Sequence, residues 1–227
     1  ESRFDVWVCM ELCVDGDLQS YVDQHGAFQE AAGCNLVFQL IEGVNYLHKK
    51  RVAHSDLKPA GLLLQSGASI LKIADFSMAR PLCSEDHVNR TRMLSDKDSS
   101  SYAAPELRSG KPWNERVDIW SSGLCAYFLL SGRVPMSGED RRRAGISLSE
   151  GFSASARHFV EHCLTVDVRD RPTAMELLLH PIFWQDASIQ INGVATVAAS
   201  HAIPFVSRCE LLPICGLLFC GMADSDA

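Results

Sequence analysis

One apolar segment near the middle of the chain constrains the fold more than any other. Residues 117–130 read VDIWSSGLCAYFLL, a run in which almost every residue is apolar or small. A segment of about fourteen such residues is too short to span a membrane and fits a helix that is buried on most sides. We therefore expect this helix to lie at the centre of the fold.

The elements around that segment are predicted to be mostly helical. Apolar residues recur at intervals of three and four over residues 30–51, which predicts an amphipathic helix with one buried face. Two more helices are predicted over residues 154–166 and 173–179, the second with Pro172 in its first turn.

Short apolar runs rich in β-branched residues predict strands. One run, residues 4–10, ends before the Asp15-Gly16 turn. Two others, residues 62–64 and 70–73, are separated by five small or polar residues and predict a hairpin.

Two stretches lack any periodicity. Residues 84–101 are rich in Ser, Asp and Arg and predict a long surface loop. Residues 188–227 are assigned no fold. Within them, residues 211–222 are uncharged but fall short of the roughly 20 residues that a spanning helix needs, so we expect a tail here rather than a membrane anchor.

Charge and cysteine content exclude several classes of protein. Twenty-one Lys and Arg against 28 Asp and Glu give a net charge of -7, which predicts no binding to nucleic acid or anionic lipid. The nine cysteines contain no C-x-x-C pair and favour reduced thiols in the cytoplasm or elsewhere inside the cell. No leader of basic and then apolar residues follows Glu1, so we expect no secretory signal, and the first residue is not Met.

Five short polar blocks carry the chemical information. They are HSDLKP at 54–59, DFS at 75–77, APE at 104–106, DIWSSG at 118–123 and DRPT at 170–173. In this order and spacing they resemble the catalytic half of a eukaryotic protein kinase of the serine/threonine type. The resemblance covers about residues 4–184 and is closest in style to the calcium/calmodulin-dependent kinase group. It implies an α+β, protein-kinase-like fold, seen mainly as its predominantly helical carboxy-terminal lobe.

The resemblance implies a reaction and the residues that perform it. The reaction is transfer of the γ-phosphoryl group of ATP, bound with Mg²⁺, to a serine or threonine hydroxyl of a protein. Asp56 matches the carboxylate that accepts the hydroxyl proton, and Lys58 matches the lysine that neutralises charge on the moving group. Asp75 matches the carboxylate that holds magnesium.

The resemblance also assigns a nucleotide-binding side. Met10, Glu11 and Cys13 match the gatekeeper and hinge, whose backbone hydrogen-bonds the adenine. Leu63 matches the residue beneath the adenine ring, and Asp17 the carboxylate that meets the ribose. Met10 and Leu63 are equally compatible with plain core positions, and Asp17 with a helix N-cap.

Five further residues are assigned structural or regulatory roles by the resemblance. Glu106 and Arg171 match a buried ion pair, in which loss of one partner would leave an unpaired charge. Asp118 matches the carboxylate that braces the catalytic loop, which begins at His54. Ser99 falls where the family keeps a threonine near the catalytic aspartate.

Three departures from the family pattern fall on catalytic positions. Gly61 stands where an asparagine holds a second magnesium, so one oxygen ligand is missing. Ser55 replaces the arginine before the catalytic aspartate, so a phosphate on the activation segment would lose its guanidinium partner. Ser77 replaces the glycine that normally gives this turn its backbone freedom.

The amino-terminal lobe of the family is not evident in this sequence. No G-x-G-x-x-G loop occurs, and no Ala-x-Lys strand precedes Phe4. We therefore expect a kinase-like domain over residues 1–187, with the amino-terminal lobe largely absent, and an unassigned tail over 188–227. The alternatives to an enzyme are a pseudokinase that binds a protein partner as a scaffold, and a truncated fragment without function.

Two weaker signals stay open at this stage. His158 and His162 lie four residues apart with Cys163 beside them, as in a metal ligand set or in an ordinary, partly buried helix face. The basic triple at residues 141–143 fits a solvated loop or a docking site for a substrate or partner.

Overall fold

The computed structural model describes residues 9–82, 101–133 and 151–184, which contain both helices and small antiparallel sheets. The helices are α1 (Leu18–His25), α2 (Glu30–Lys49), α3 (Pro105–Arg108), α4 (Arg116–Ser131), α5 (Ala154–Cys163) and α6 (Ala174–Leu177). The strands are β1 (Val52–Ala53), β2 (Leu62–Gln65), β3 (Ile70–Ile73) and β4 (Arg80–Pro81). Short 3₁₀ turns lie at Pro59–Gly61, Phe76–Met78 and Pro181–Phe183. This mixture agrees with the α+β prediction.

Helix α4 forms the centre of the described core. Thirteen of its 16 residues are buried, which confirms the prediction made from the apolar run. The helix ends at Gly132, whose φ of +65° closes the last turn in the left-handed conformation that glycine adopts without strain.

Two glycines bring neighbouring helices close to α4. A Cβ on Gly33 of α2 would lie 2.6 Å from a methyl carbon of Leu130, and a Cβ on Gly123 of α4 would lie 2.4 Å from the Cβ of Cys163 in α5. Both distances are shorter than real Cβ contacts, so the absence of a side chain sets how closely α2 and α5 approach α4.

The predicted hairpin is confirmed as β2 and β3, which pair from Leu62 opposite Ile73 to Gln65 opposite Ile70. Gln39 of α2 fastens this hairpin to the helical body. Its amide nitrogen donates to the carbonyl of Ser69 at 2.9 Å, and its amide oxygen accepts from the backbone of Leu71 at 2.9 Å. The β1–β4 pair has only two residues in each strand and was not predicted.

Several predicted helix boundaries differ from the observed ones by one to three residues, and α6 also ends at Leu177 rather than 179. Helix α5 ends at Cys163 rather than 166, because the hydroxyl of Thr165 donates to the carbonyl of His162 and the carbonyl of Thr165 accepts from Arg171. Helix α6 begins at Ala174, because Thr173 is its N-cap in a reciprocal capping box with Glu176. Pro172 therefore precedes the cap instead of lying in the first turn.

Some predictions lie mostly or wholly outside the described residues. These are the strand over 4–10, the surface loop over 84–101, the basic triple at 141–143 and the tail over 188–227. Within the described ranges, none of the helices combines the length and the apolar character needed to cross a bilayer. The five cysteines in these ranges form no disulfide.

Candidate active site

A buried carboxylate of α4 holds the loop that follows β1. Asp118 is fully buried, its Oδ2 accepts from the backbone N–H of His54 at 2.8 Å, and its Oδ1 accepts from that of Ser55 at 2.7 Å. Nε2 of His48 lies 2.9 Å from the same Oδ2. Asp118 thus fixes the backbone immediately before Asp56.

The electrostatic balance at Asp118 favours the ionised carboxylate. Burial alone would raise the pKa of Asp118. The hydrogen bond from His48, the electrostatic interactions with His48 and His54, and the Ser55 amide together outweigh burial, so the pKa of Asp118 lies below the ordinary value. Sequence reasoning missed His48, because nothing distinguished it from an ordinary basic residue in the last turn of a helix.

His54 ties this loop to the segment that carries Asp75. Its Nδ1 accepts from the backbone N–H of Asp56 at 3.4 Å, so Nε2 carries the hydrogen and donates to the carbonyl of Ala74 at 2.9 Å. Its ring also packs 5.0 Å from the ring of Phe76, measured between centroids. His54 therefore links the two polar blocks across 20 residues of chain.

Ser55 is strained. Its φ of +69° lies in the left-handed region, which a non-glycine residue adopts only when its surroundings enforce it. Here the enforcing contact is the bond from its N–H to Asp118. Its hydroxyl oxygen is buried and has no hydrogen-bond partner within the described ranges.

Asp56 and Lys58 form the ion pair at the centre of the loop. Nζ of Lys58 lies 2.7 Å from Oδ2 of Asp56, and both side chains are only slightly exposed. The charge of Lys58 also helps to lower the pKa of Asp75, so this ammonium lies close enough to act on both carboxylates. An ammonium beside two carboxylates can hold phosphate oxygens while one carboxylate accepts a hydroxyl proton.

Asp75 sits at a tight turn with its carboxylate accessible to solvent. Its φ is +59°, and the hydroxyl of Ser77 donates to its Oδ1 at 2.7 Å. That hydrogen bond lowers the pKa of Asp75 more than any other interaction, and the net pKa is below the ordinary value although partial burial opposes the shift. An exposed, ionised carboxylate is the oxygen ligand that Mg²⁺ prefers, so Asp75 fits the magnesium role.

Gly61 lies beside Asp75, where a second oxygen ligand would be needed. A Cβ built on Gly61 would lie 3.5 Å from the carbonyl oxygen of Ala74 and 3.8 Å from the Cβ of Asp75, both ordinary contact distances. The backbone is held by bonds to Lys58 and Ala74, each 2.9 Å. The position has room for a side chain, but glycine supplies no oxygen, so the residues present fit one magnesium ion better than two.

The predicted hinge is an exposed segment with one buried residue. Met10 is 48% exposed, so the plain-core alternative is wrong for it within the part of the chain described. Glu11 forms an ion pair with Lys72 of β3, and this hydrogen bond lowers the pKa of Glu11. Cys13 is buried, which raises the pKa of its thiol.

Asp17 is the N-cap of α1, as one of the two alternatives predicted. Its Oδ1 accepts from the backbone N–H of Ser20 at 2.9 Å and its Oδ2 from the hydroxyl of Ser20 at 2.8 Å. Both oxygens are thus used within α1, so a ribose hydroxyl would share them with the cap. Asp17 pairs with Leu63 through an isolated β-bridge.

Leu63 is a half-buried residue on the face of β2 opposite the core. Leu62 and Leu64, on either side of it, are fully buried. Because side chains alternate along a strand, Leu63 points away from the core that holds its neighbours. The plain-core alternative is therefore wrong for Leu63, whose cross-strand partner Lys72 forms the ion pair with Glu11 of the hinge segment.

Glu106 and Arg171 form a bidentate ion pair in the interior. Nη1 of Arg171 donates to Oε1 of Glu106 at 2.7 Å and Nη2 donates to Oε2 at 3.2 Å, with Arg171 fully buried. The guanidinium also donates to the carbonyls of Thr165 and Arg116 and lies 5.1 Å from the ring centroid of Trp120. These contacts tie the start of α3 to the segment before α6.

One predicted residue, Ser99, and one predicted metal ligand set remain to be compared with the structure. Ser99 lies outside the described residues. Of the residues weighed as a metal set, the structure brings His158 and His162 together with His180. Cys163 is buried against α4 instead, at the close contact with Gly123.

Comparisons with known proteins add the family context. The family model described as the protein kinase domain matches residues 1–183. The SNF1-related protein kinase catalytic subunit alpha KIN12 of Arabidopsis thaliana is 36% identical over 190 residues, which cover 81% of this chain and 37% of that protein. The mouse death-associated protein kinase 2 is 32% identical over 195 residues, covering 80% and 51% of the two chains.

A third relative is matched over a larger share of its length. The myosin light chain kinase A of Dictyostelium discoideum is 33% identical over 211 residues, covering 87% of this chain and 69% of that protein. By contrast, the chain spans little more than a third of the plant relatives that it matches.

Proposed function

Because the chain belongs to the protein kinase family, we propose that its Asp56–Lys58–Asp75 site transfers the γ-phosphoryl group of Mg-ATP to serine or threonine hydroxyls of proteins. The relatives that it resembles include serine/threonine protein kinases at 36% identity. The observation that carries the proposal is the 2.7 Å pair of Lys58 and Asp56. It directly follows Ser55, whose backbone the buried Asp118 fixes, and the charge of Lys58 acts on Asp75.

Each of the three residues has one proposed task. Asp56 accepts the proton of the substrate hydroxyl and orients its oxygen. Lys58 places positive charge against the transferred phosphoryl oxygens, where charge accumulates in the transition state. Asp75 holds the magnesium ion, which would supply charge neutralisation between the β- and γ-phosphates when bound.

We propose that turnover at this site is slow. Gly61 removes one magnesium ligand, and Ser55 removes the arginine through which activation-segment phosphorylation acts in the family. Losing two stabilising groups at about 3 kcal/mol each would slow the reaction roughly 10^4-fold. The Gly-rich loop and paired lysine of the family do not occur in the 227 residues, so turnover requires a lobe that carries them.

The proposed organisation follows from these roles. We propose a kinase-like domain over residues 1–187 that corresponds mainly to the carboxy-terminal lobe, with Met10, Glu11, Cys13, Asp17 and Leu63 on the nucleotide side. ATP and Mg²⁺ are its proposed cofactors and a protein its partner. A cytoplasmic or other intracellular location is consistent with an ATP-dependent reaction, and the net charge of -7 favours neither nucleic acid nor an anionic membrane surface.

A phosphotransfer assay tests the proposal. The full chain, extended at its amino terminus by the first lobe of a protein kinase relative, is incubated with radiolabelled Mg-ATP and a serine-containing protein. We expect slow transfer that Asp56→Ala abolishes, because Asp56 is the proposed acceptor of the hydroxyl proton and Asp75 is assigned to magnesium. Asp23→Ala, on the exposed face of α1, is the matched control and should leave the rate unchanged.

The second candidate function is a pseudokinase scaffold. The observation that favours it is the combination of a missing ligand at Gly61 with an intact internal framework, the bidentate Glu106–Arg171 pair. A scaffold would keep its protein partner after Asp56→Ala. Transfer that is absent from the extended chain and from its Gly61→Asn variant alike would favour the scaffold over the enzyme.

A further inference from the structure

Three histidines from two elements meet on one side of the helical body. His158 and His162 lie one turn apart on α5, and His180 is the N-cap of the 3₁₀ turn Pro181–Phe183. One ring nitrogen from each lies within 4.8 Å of those of the other two. The rings of His158 and His180 are stacked with centroids 5.1 Å apart, so the cluster is a packed unit.

The hydrogen bonds define which nitrogens face one another. The backbone N–H of Ile182 donates to Nδ1 of His180 at 3.2 Å, so the neutral ring carries its hydrogen on Nε2. That Nε2 lies 2.8 Å from Nδ1 of His158, which therefore accepts. Nδ1 of His162 is buried and has no hydrogen-bond partner in the part of the chain that the structure describes. A buried ring nitrogen in this condition needs an explanation, and a bound cation is one.

The surroundings of His162 and His180 favour the neutral form of these two rings. Burial, followed by the neighbouring His158 and His162, lowers the pKa of His180 to about 4. Burial and then His158 lower the pKa of His162, against a smaller opposing effect of Glu176. Neutral imidazole is the form that binds a metal ion, and in His180 the lone pair becomes available at Nε2 once the ring hydrogen moves to Nδ1.

We propose that His158, His162 and His180 bind one Zn²⁺ ion. Imidazole nitrogen suits zinc and its first-row neighbours, whereas Mg²⁺ and Ca²⁺ prefer oxygen ligands. Tetrahedral coordination at about 2.0–2.1 Å places the ligand nitrogens roughly 3.3 Å apart, between the observed 2.8 Å and the 4.8 Å limit of the cluster. The three nitrogens are thus near the spacing that one ion requires, and the stacked rings of His158 and His180 would have to turn to direct their lone pairs at it.

Zinc coordination would break one existing hydrogen bond and would link two elements of the fold through the metal ion. Binding through Nε2 of His180 moves its ring hydrogen to Nδ1 and gives up the 3.2 Å bond from the Ile182 amide. The ion in turn joins α5 to the turn that follows α6. Three protein ligands leave the fourth position to water, and the exposed His158 places that position at the surface.

Metal titration of the full chain tests the proposal. Zn²⁺ is titrated in competition with a chromophoric chelator, and Co²⁺ is added in parallel to read the ligand type from its absorption spectrum, with a phosphine reductant keeping thiols reduced. We expect one Zn²⁺ per chain and a Co²⁺ spectrum without thiolate charge-transfer bands. His158→Ala should weaken Zn²⁺ binding at least about 100-fold. His25→Ala, an exposed histidine at the end of α1, is the matched control and should bind as the unaltered chain does.

The chain has nine cysteines, so metal binding by thiolates is the competing result. Equal Zn²⁺ affinity in the unaltered and His158→Ala chains, or a Co²⁺ spectrum dominated by thiolate bands, would overturn the proposal. His158 is exposed, so its substitution should leave the helical circular dichroism unchanged. Should that variant lose its fold, the Co²⁺ spectrum and stoichiometry of the unaltered chain still decide.

Discussion

One hydrogen bond has the largest effect on the pKa of Asp75. Asp75 owes most of its lowered pKa to one hydroxyl, that of Ser77, at 2.7 Å. The family pattern has a glycine at this position, so the serine exchanges backbone freedom for a donor to one oxygen of the proposed metal ligand. Ser77 is not among the described residues with positive φ, so its backbone conformation does not require a glycine, whereas Asp75 has a φ of +59°.

Ser77→Ala should raise the pKa of Asp75 toward its ordinary value, because the donor that stabilises the ionised form is removed. A lowered folded-state pKa contributes stability above the ordinary pKa, and that contribution is lost as pH falls through the folded value. In the variant this loss should therefore occur at higher pH. Carbon NMR titration of the Asp75 carboxyl measures the midpoint directly.

The control for this titration is Ser69→Ala. The hydroxyl of Ser69 donates to the carbonyl of Ser66 at the tip of the β2–β3 hairpin, and it is not among the groups that shift Asp75. Its removal should leave the Asp75 midpoint in place. A Ser77→Ala midpoint equal to that of the control would contradict the assignment.

At the scale of elements, α4 acts on the site through Asp118. Asp118→Ala removes the acceptor for the backbone N–H groups of His54 and Ser55 and for His48. Each buried donor left unsatisfied costs about 1–3 kcal/mol, so the free energy of unfolding should fall by about 3 kcal/mol or more. Urea denaturation measures the change.

Exposed Asp23 provides the comparison for Asp118. Asp23→Ala should change the free energy of unfolding by no more than about 0.5 kcal/mol. Asp118→Asn keeps one acceptor oxygen, so its loss in the free energy of unfolding should lie between those of Asp118→Ala and Asp23→Ala. A loss at Asp118→Ala no larger than at Asp23→Ala would show that α4 does not brace the loop.

The close approach of α4 and α5 depends on Gly123. Gly123→Ala would place a Cβ 2.4 Å from that of Cys163, so the helices must separate. Overpacking of this kind typically costs about 1–3 kcal/mol, measurable by thermal or urea unfolding. Gly151→Ala meets nothing within 4 Å and should be neutral, and equal stabilities of the two variants would refute the packing argument.

The sequence predicted elements best where periodicity was strong. The α2 and α4 helices follow from the spacing of apolar residues and from an unbroken apolar run, and both were predicted within two residues at either end. The end of α5 could not be predicted, since it depends on the hydrogen bond that Arg171 donates to the carbonyl of Thr165. The two-residue pairing of β1 and β4 likewise depends on tertiary contact rather than on local pattern.

At the scale of the whole molecule, the site is assembled from segments far apart in sequence. Asp118 accepts a hydrogen bond from His54, which lies 64 residues earlier in the sequence, and Arg171 donates to Glu106, which lies 65 residues earlier. The family resemblance predicted these residues because it carries long-range information that periodicity lacks. His48 and His180 were missed because only folding brings them to Asp118 and to His158.

The most direct test of the account concerns Gly61 in the extended chain used for the phosphotransfer assay. Gly61→Asn adds an amide oxygen beside Asp75 at a position where a Cβ fits without a clash. The rate of phosphate transfer from Mg-ATP to protein should rise at least about tenfold, the low end of what a single group near a metal contributes. Gly61→Ala adds the same Cβ without the oxygen and should leave the rate unchanged.

Asp56→Ala in the Gly61→Asn background should abolish the gained activity, which would link the gain to the proposed base. A Gly61→Asn chain that transfers phosphate no faster than the Gly61→Ala chain would contradict the claim that this is a phosphotransfer site weakened at its metal.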